Sequence, residues 1–329
     1  MNSKNPNYKE INIRQKRKLG YIYIIIASSC FALIGIFGKL VLNSGISAFE
    51  LLFYQYVIMF LVLGLLILIR DPKDFRISRR MLIRTVIQGA IGATGTSVFY
   101  YLAIEKINVG MASMLLFTYP IFVNLFFIFG GIRKIGLGSK IALASAFLGS
   151  CLVLNIFTTG VTGISGIGII LGIFASFCYA FYNVFADLKL STLPSVTISF
   201  YTSLVTLLIG GAIAPGAIAH FVSLAGLGTG AASGGLSSGF LEMLGYLVLL
   251  ALICGVLPTL LMYKGIALIG ADKASILSSC ELPLTIIFAF LVLGEKMVLL
   301  QMFGIALIVG AVLMLHLTDK DLKIENTIN

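Results

Sequence analysis

Ten times along this chain an apolar run appears that is long enough to cross a lipid bilayer. The runs cover residues 19–41, 47–69, 81–103, 107–129, 137–157, 166–187, 195–214, 240–263, 272–293 and 297–317. A hydrocarbon core about 30 Å thick needs roughly 17–25 residues of helix to span it. Little in the chain would dissolve it in water: charged residues are 11% of the sequence, where ordinary soluble domains have roughly 25%, and mean hydropathy is +1.07. Hydrocarbon cannot hydrogen-bond an open backbone, so each run must close its own bonds as a helix. The expected fold class is an all-α integral membrane protein with ten transmembrane helices. Residues 1–18 and 318–329 are left as tails. The stretch 215–239, with Gly226, Gly228, Gly230, Gly234, Gly235 and Gly239, reads as a flexible loop outside the hydrocarbon.

The first run follows a basic stretch, as a signal peptide would. It is longer than the roughly 7–15 residues of such a segment and no A-x-A site follows it, so it is expected to remain as the first span.

The formal charge of +10 is gathered in short clusters between runs, such as Lys16-Arg17-Lys18, Arg79-Arg80 and Arg133-Lys134. With the N-terminus in the cytoplasm, twenty Lys and Arg fall on the cytoplasmic side; Lys39, Lys106 and Lys296 fall on the other. Basic residues accumulate on the cytoplasmic side of membrane proteins. The asymmetry predicts both termini in the cytoplasm, an even number of spans, and residence in the plasma membrane. It also accounts for the charge without nucleic acid as a partner.

Cys30, Cys151, Cys178, Cys254 and Cys280 all lie inside apolar runs and form no C-x-x-C pair, so neither a disulfide nor a metal site is expected. His220 and His316 stand alone. There is no GxxxxGK[ST] loop for ATP and no H-x-x-x-H, G-x-S-x-G or paired-carboxylate constellation. The sequence therefore predicts no enzyme and no cofactor.

The two halves echo each other. Ala27-Ser28-Ser29-Cys30-Phe31-Ala32 matches Ala175-Ser176-Phe177-Cys178-Tyr179-Ala180 at an offset of 148, and Phe53-Tyr54 matches Phe200-Tyr201 at 147. Tyr101, Ala112-Ser113 and Leu115 match Tyr263, Ala274-Ser275 and Leu277 at 162, the Gly-rich insertion accounting for the difference. Five spans per half is an odd number, so the second half enters the membrane from the opposite face. The expected organisation is two inverted five-helix repeats, 19–157 and 166–317. Inverted repeats are a transporter architecture, with the substrate site near the midplane between the halves.

These features carry a family resemblance. Tyr101-Leu102-Ala103-Ile104, Gly110-Met111-Ala112-Ser113 and Tyr119-Pro120 form one group. Ala274-Ser275-Ile276-Leu277-Ser278-Ser279-Cys280-Glu281 followed by Gly294-Glu295-Lys296 forms the other. With the duplicated five-span plan, they resemble the EamA-type group of the drug/metabolite transporter superfamily across residues 19–317. The family's Glu-Pro pair is altered here, Pro283 following Glu281 by two positions. The resemblance implies export or exchange of small organic metabolites, often amino acids, and a cavity formed by spans 1, 3, 4, 6, 8 and 9. The function expected is therefore a secondary transporter working by alternating access. Its partners would be a small-molecule substrate, the bilayer, and protons as a candidate coupling ion. The alternatives are a membrane-embedded enzyme or scaffold, a channel, or a quaternary-amine exporter.

Candidate site residues follow from the cost of polar groups in hydrocarbon, about 2.5–3.5 kcal/mol for a charge at the centre of a helix. Glu281 stands first, with Ser278 and Thr285 expected on its helical face. A polar-aromatic stripe of Ser176, Tyr179, Tyr182 and Asn183 marks the sixth span. Gln88 with Gly92 and Thr96 marks the third, and Tyr119 and Asn124 the fourth. These residues serve equally well as interhelical bonds. Gln55 reads as packing, Glu295 as structural, and Lys39 as a side chain that either reaches the interface or meets an anionic substrate group. Pro120, Pro258 and Pro283 are expected to bend their spans, and the rows Gly89/Ala93 and Ala306/Gly310 to let helices approach closely.

Overall fold

In a computed structural model, helices follow one another from Pro6 to Ile328. The structure describes residues 6–107, 109–133, 136–154, 165–225, 238–293 and 298–328, and no strand occurs among them. Span 1 is Pro6–Phe31 continued by Ile34–Leu42; span 2 is Ala48–Arg70. Span 3 runs through Arg79–Ile87, a π-helical turn at Gln88–Thr94, and Gly95–Ile104. Span 4 is Val109–Leu116 and Tyr119–Phe129, and span 5 is Leu137–Val153. Span 6 is Gly166–Phe185 with a π turn at Ala186–Leu190, and span 7 is Ser195–Ile213. Span 8 is Ser238–Ala251, a π turn at Leu252–Val256, and Leu257–Ile269. Span 9 is Ala271–Ser278 and Glu281–Leu293, and span 10 is Leu299–Ile328. Spans 1, 2, 4, 6, 7 and 8 are each long and apolar enough to cross a membrane, and spans 5 and 10 carry shorter apolar stretches. The outer faces are hydrocarbon-like, with Leu61, Leu65, Leu208 and Phe303 exposed.

Some boundaries differ from the sequence expectation. The first helix starts at Pro6 and the last runs to Ile328, so both tails are largely helical. No Gly or Pro follows Pro6 before Gly20, or Gly310 before the end, so nothing stops either helix as it leaves the apolar run. The stretch expected as a loop opens with a helix, Ala217–Leu224; its glycines from 226 to 237 lie outside the described residues, as do Glu295 and Lys296. The side chain of Lys39 is outside them too.

Span-to-span contacts carry the signature of a two-fold axis. Exchanging each span for the one five places on maps the pair 1–8 onto 3–6, the pair 1–9 onto 4–6, and the pair 2–8 onto 3–7. It leaves 2–7, 4–9 and 5–10 unchanged. All of these pairs are in contact. With five spans per half, the repeats are inverted, and these pairs all join one half to the other. The chain breaks obey the same relation. At the offset of 162, the break at Phe117-Thr118 falls on Ser279-Cys280, and the π turn of span 3 overlaps that of span 8.

Backbone contact seals the 5–10 pair. A Cβ on Gly149 would stand 2.8 Å from the Gly304 carbonyl oxygen, and one on Gly304 would stand 2.7 Å from that of Gly149. Gly89 packs in the same way, against Val205 of span 7. The Ala306/Gly310 row does not act as expected: it is exposed, and nothing lies within 4 Å of a Cβ on Gly310. The contact face of span 10 is set by Gly304 and Ile308 instead, four residues apart on one side of the helix. Gly304→Val should therefore lower thermal stability by about 1–3 kcal/mol through overpacking, whereas Gly310→Val should leave the melting temperature of the purified protein unchanged.

Candidate functional site

Spans 4 and 9 break where proline enforces it. Pro120 and Pro283 lack an amide hydrogen, and each stands within the first three residues of a new helical segment, where that absence costs least. Ser279, deprived of the Pro283 amide, accepts from the Leu282 amide at 3.3 Å instead. The Thr118 amide tightens onto Leu115, and the Thr118 hydroxyl meets that of Ser176 in span 6 at 2.7 Å. Pro258 likewise begins a segment, directly after the π turn of span 8.

Between these breaks lies a cavity of about 220 Å³. Its walls come from spans 1, 3, 4, 6, 8 and 9, and from span 2 through Tyr56. Glu281, Tyr119 and Tyr182 all line it, joined by Tyr179, Phe117 and Thr96. Glu281 opens the second segment of span 9, near the middle of that span. Tyr119, its counterpart at the offset of 162, opens the second segment of span 4. The ring of Tyr119 stands 4.4 Å from that of Tyr179, which stacks on Tyr182 at 6.0 Å. The Tyr119 hydroxyl donates to the Ser275 carbonyl across the 4–9 interface at 3.3 Å.

Four of the candidates do not line the cavity. Ser278 closes the first segment of span 9, and the break puts it on a different helix from Glu281; the continuous face of Ser278, Glu281 and Thr285 does not form. Its hydroxyl donates to the Ala274 carbonyl. Asn124 donates to the Pro120 carbonyl at 2.7 Å and Asn183 to that of Tyr179 at 2.8 Å, each bracing its own helix. Gln88 is an interhelical hub. Its amide donates to the Tyr182 carbonyl at 3.0 Å, and its carbonyl oxygen accepts from Thr202 and from Tyr263, both at 3.3 Å. It ties span 3 to spans 6, 7 and 8 at zero exposure.

At one end of the bundle is a cluster built on Arg133, a residue that the sequence reading assigned to orientation alone. Arg133, just after span 4, reaches Asp272 at the start of span 9 at 2.6 Å and Asp187 at the end of span 6 at 2.8 Å. Its guanidinium also covers the Phe127 ring at 4.7 Å. Burial works against its charge, but the two carboxylates outweigh that and hold its pKa above the ordinary value. Asp187 also accepts from the Ala271 amide at 2.9 Å, capping the first helix of span 9. Gly270 turns the chain there at φ +86°, where a side chain would strike the guanidinium. The sequence trace of this cluster is faint: two scarce acidic residues at span ends that share a bundle face with an arginine.

Replacing Gln88 with Leu should cost about 2–4 kcal/mol, because three partners lose their bonds at once and each such membrane contact is worth about 0.6–1.7 kcal/mol. Urea or thermal unfolding in detergent measures it. Asn124→Leu, which loses one local bond, should cost under half as much.

The pattern of the EamA-like transporter family matches the chain twice, over residues 18–155 and 166–317. The chain is 26% identical over 306 residues to the uncharacterized inner membrane transporter YicL of Salmonella typhimurium, covering 92% of this chain and 96% of that one. It is 25% identical over 290 residues to the uncharacterized transporter YcbK of Bacillus subtilis, covering 87% and 88%. A crystal structure of a further protein superposes with a TM-score of 0.73 at 15% identity, over 92% of this chain and 98% of the other, and so shares the fold. With both halves matched, this multi-pass membrane protein belongs to the EamA-like transporter family.

Proposed function

We propose that the protein is a secondary transporter that exports small organic metabolites by alternating access, with both termini in the cytoplasm. The observation that carries this reading is a mid-depth cavity walled by both inverted halves and bordered by matched breaks in spans 4 and 9. Related halves that can exchange conformations give two states of similar energy, one open to each side. The distribution of twenty basic residues against three supports the orientation.

The Arg133 cluster acts as the gate at the basic end. It joins the ends of spans 4, 6 and 9, three helices that each place a tyrosine or the carboxylate in the cavity wall. Opening that end requires these helices to part, which breaks the ion pairs. The energy at stake is modest, roughly 1–3 kcal/mol for charge-assisted bonds, which suits a contact made and broken in every cycle. Glu281 is the proton-coupling or substrate-contacting group in this reading.

In liposomes the purified protein should show saturable, trans-stimulated counterflow of a metabolite; no counterflow across a broad panel of amino acids, amines and nucleosides would count against the carrier. Glu281→Gln should abolish or flatten the pH dependence of that flux, and an unchanged rate and profile exclude a coupling role. For the gate, Tyr182→Cys in a cysteine-free background should be labelled faster by an impermeant maleimide from the basic end once Arg133→Gln is added. Equal labelling with and without that change rules the gate out.

A further inference from the structure

The cavity wall has a chemical polarity that narrows the substrate class. Among the described residues that line it, Glu281 is the one carboxylic acid and none is Lys, Arg or His. The ion pairs of Arg133 with Asp187 and Asp272, and of His220 with Glu50, lie elsewhere, at the ends of the bundle, and none includes Glu281. A carboxylate left ionised and unpaired in so apolar a place is costly. A proton or a positively charged ligand relieves that cost.

The neutral groups of the wall point the same way. Each hydroxyl has one hydrogen to donate and lone pairs to accept. Thr96 donates its hydrogen to the Gly92 carbonyl, Ser97 to Ala93, Thr259 to Gly255 and Tyr119 to Ser275. With their hydrogens committed to the backbone, these four hydroxyls offer the cavity acceptors only. An ammonium group, which only donates, is matched by such a wall. The carboxylate half of an amino acid, which only accepts, finds no donor in these four hydroxyls. The stacked rings of Tyr119, Tyr179 and Tyr182 add aromatic faces, whose negative charge density attracts cations. A volume of about 220 Å³ is below the roughly 300–1,000 Å³ of drug-sized pockets and suits a small molecule.

We infer that this cavity takes a small organic monocation, an ammonium group bearing an aromatic or apolar substituent, with its nitrogen on Glu281 and its apolar part on the tyrosine row. The inference rests on the carrier reading for transport, but not for binding. Three probes share one phenyl ring and differ in charge: phenethylammonium, phenylalanine and 3-phenylpropionate. Calorimetry on the purified protein in detergent should find phenethylammonium bound at least tenfold more tightly than either of the others. Glu281→Gln should weaken it at least tenfold. Tyr179→Leu should weaken it severalfold, while Tyr179→Phe, which keeps the ring, retains it. Equal or tighter binding of phenylalanine or 3-phenylpropionate, or no binding of phenethylammonium at millimolar concentration, overturns the inference; the wild-type comparison needs no variant to fold. Selective binding without flux in liposomes would sink the carrier reading and leave the site. Flux of phenylalanine in place of the amine would do the reverse.

Discussion

Hydrocarbon supplies no hydrogen bonds, and the rest of this structure depends on how that demand is met wherever a helix opens. Prolines 120, 258 and 283 each release backbone groups inside the membrane, and π turns do the same in spans 3, 6 and 8. Protein groups take up what is released. Leu282 turns to Ser279, Thr96 and Thr259 return to carbonyls four residues back, and Gln88 reaches Tyr182. These repairs fix the direction of every hydroxyl they use. The same bonds leave Thr96 and Thr259 as acceptors toward the cavity.

Duplication provides the frame, and divergence within it provides the chemistry. The two-fold relation pairs Tyr119 with Glu281, so one half contributes an aromatic ring and the other a carboxylate to equivalent corners of a single cavity. A symmetric pair of carboxylates would repel, and a symmetric pair of rings would leave no charge. The end of the bundle is asymmetric as well. Arg133 of the first half meets Asp187 and Asp272 of the second, and Gly270 leaves room for it. Close glycine contacts such as Gly149 with Gly304 bring the outer pair of spans together, leaving the middle spans to surround the cavity.

Much of the fold was legible in the chain because the bilayer imposes one-dimensional rules. Span length, the odd number of spans per half and the basic clusters are read along the sequence without knowing a single contact. Glu281, Tyr119 and Tyr182, which line the cavity, stand out in the chain for the same reason: polar and aromatic groups at mid-span are expensive or distinctive. Gln88, Asn124 and Asn183 stand out in the same way yet lie off the cavity and donate to backbone carbonyls, because cost alone does not say whether a partner is a helix or a ligand. Ser278 was misplaced by assuming a continuous helix where Pro283 forces a break. Ala306 and Gly310 had the right composition for a contact face, but helix rotation turned Gly304 inward instead.

The sequence by itself determined the membrane class, the spans and their inverted duplication, because hydrophobic length and charge placement act locally. Only the tertiary structure decided which polar groups face the cavity and which bind one another. It brought Arg133 to two aspartates, 54 and 139 residues away. It also turned the hydroxyls of Thr96, Ser97 and Thr259 toward their own backbones. Those outcomes depend on helix rotation and on partners distant in the chain, which no local rule of hydropathy or spacing encodes.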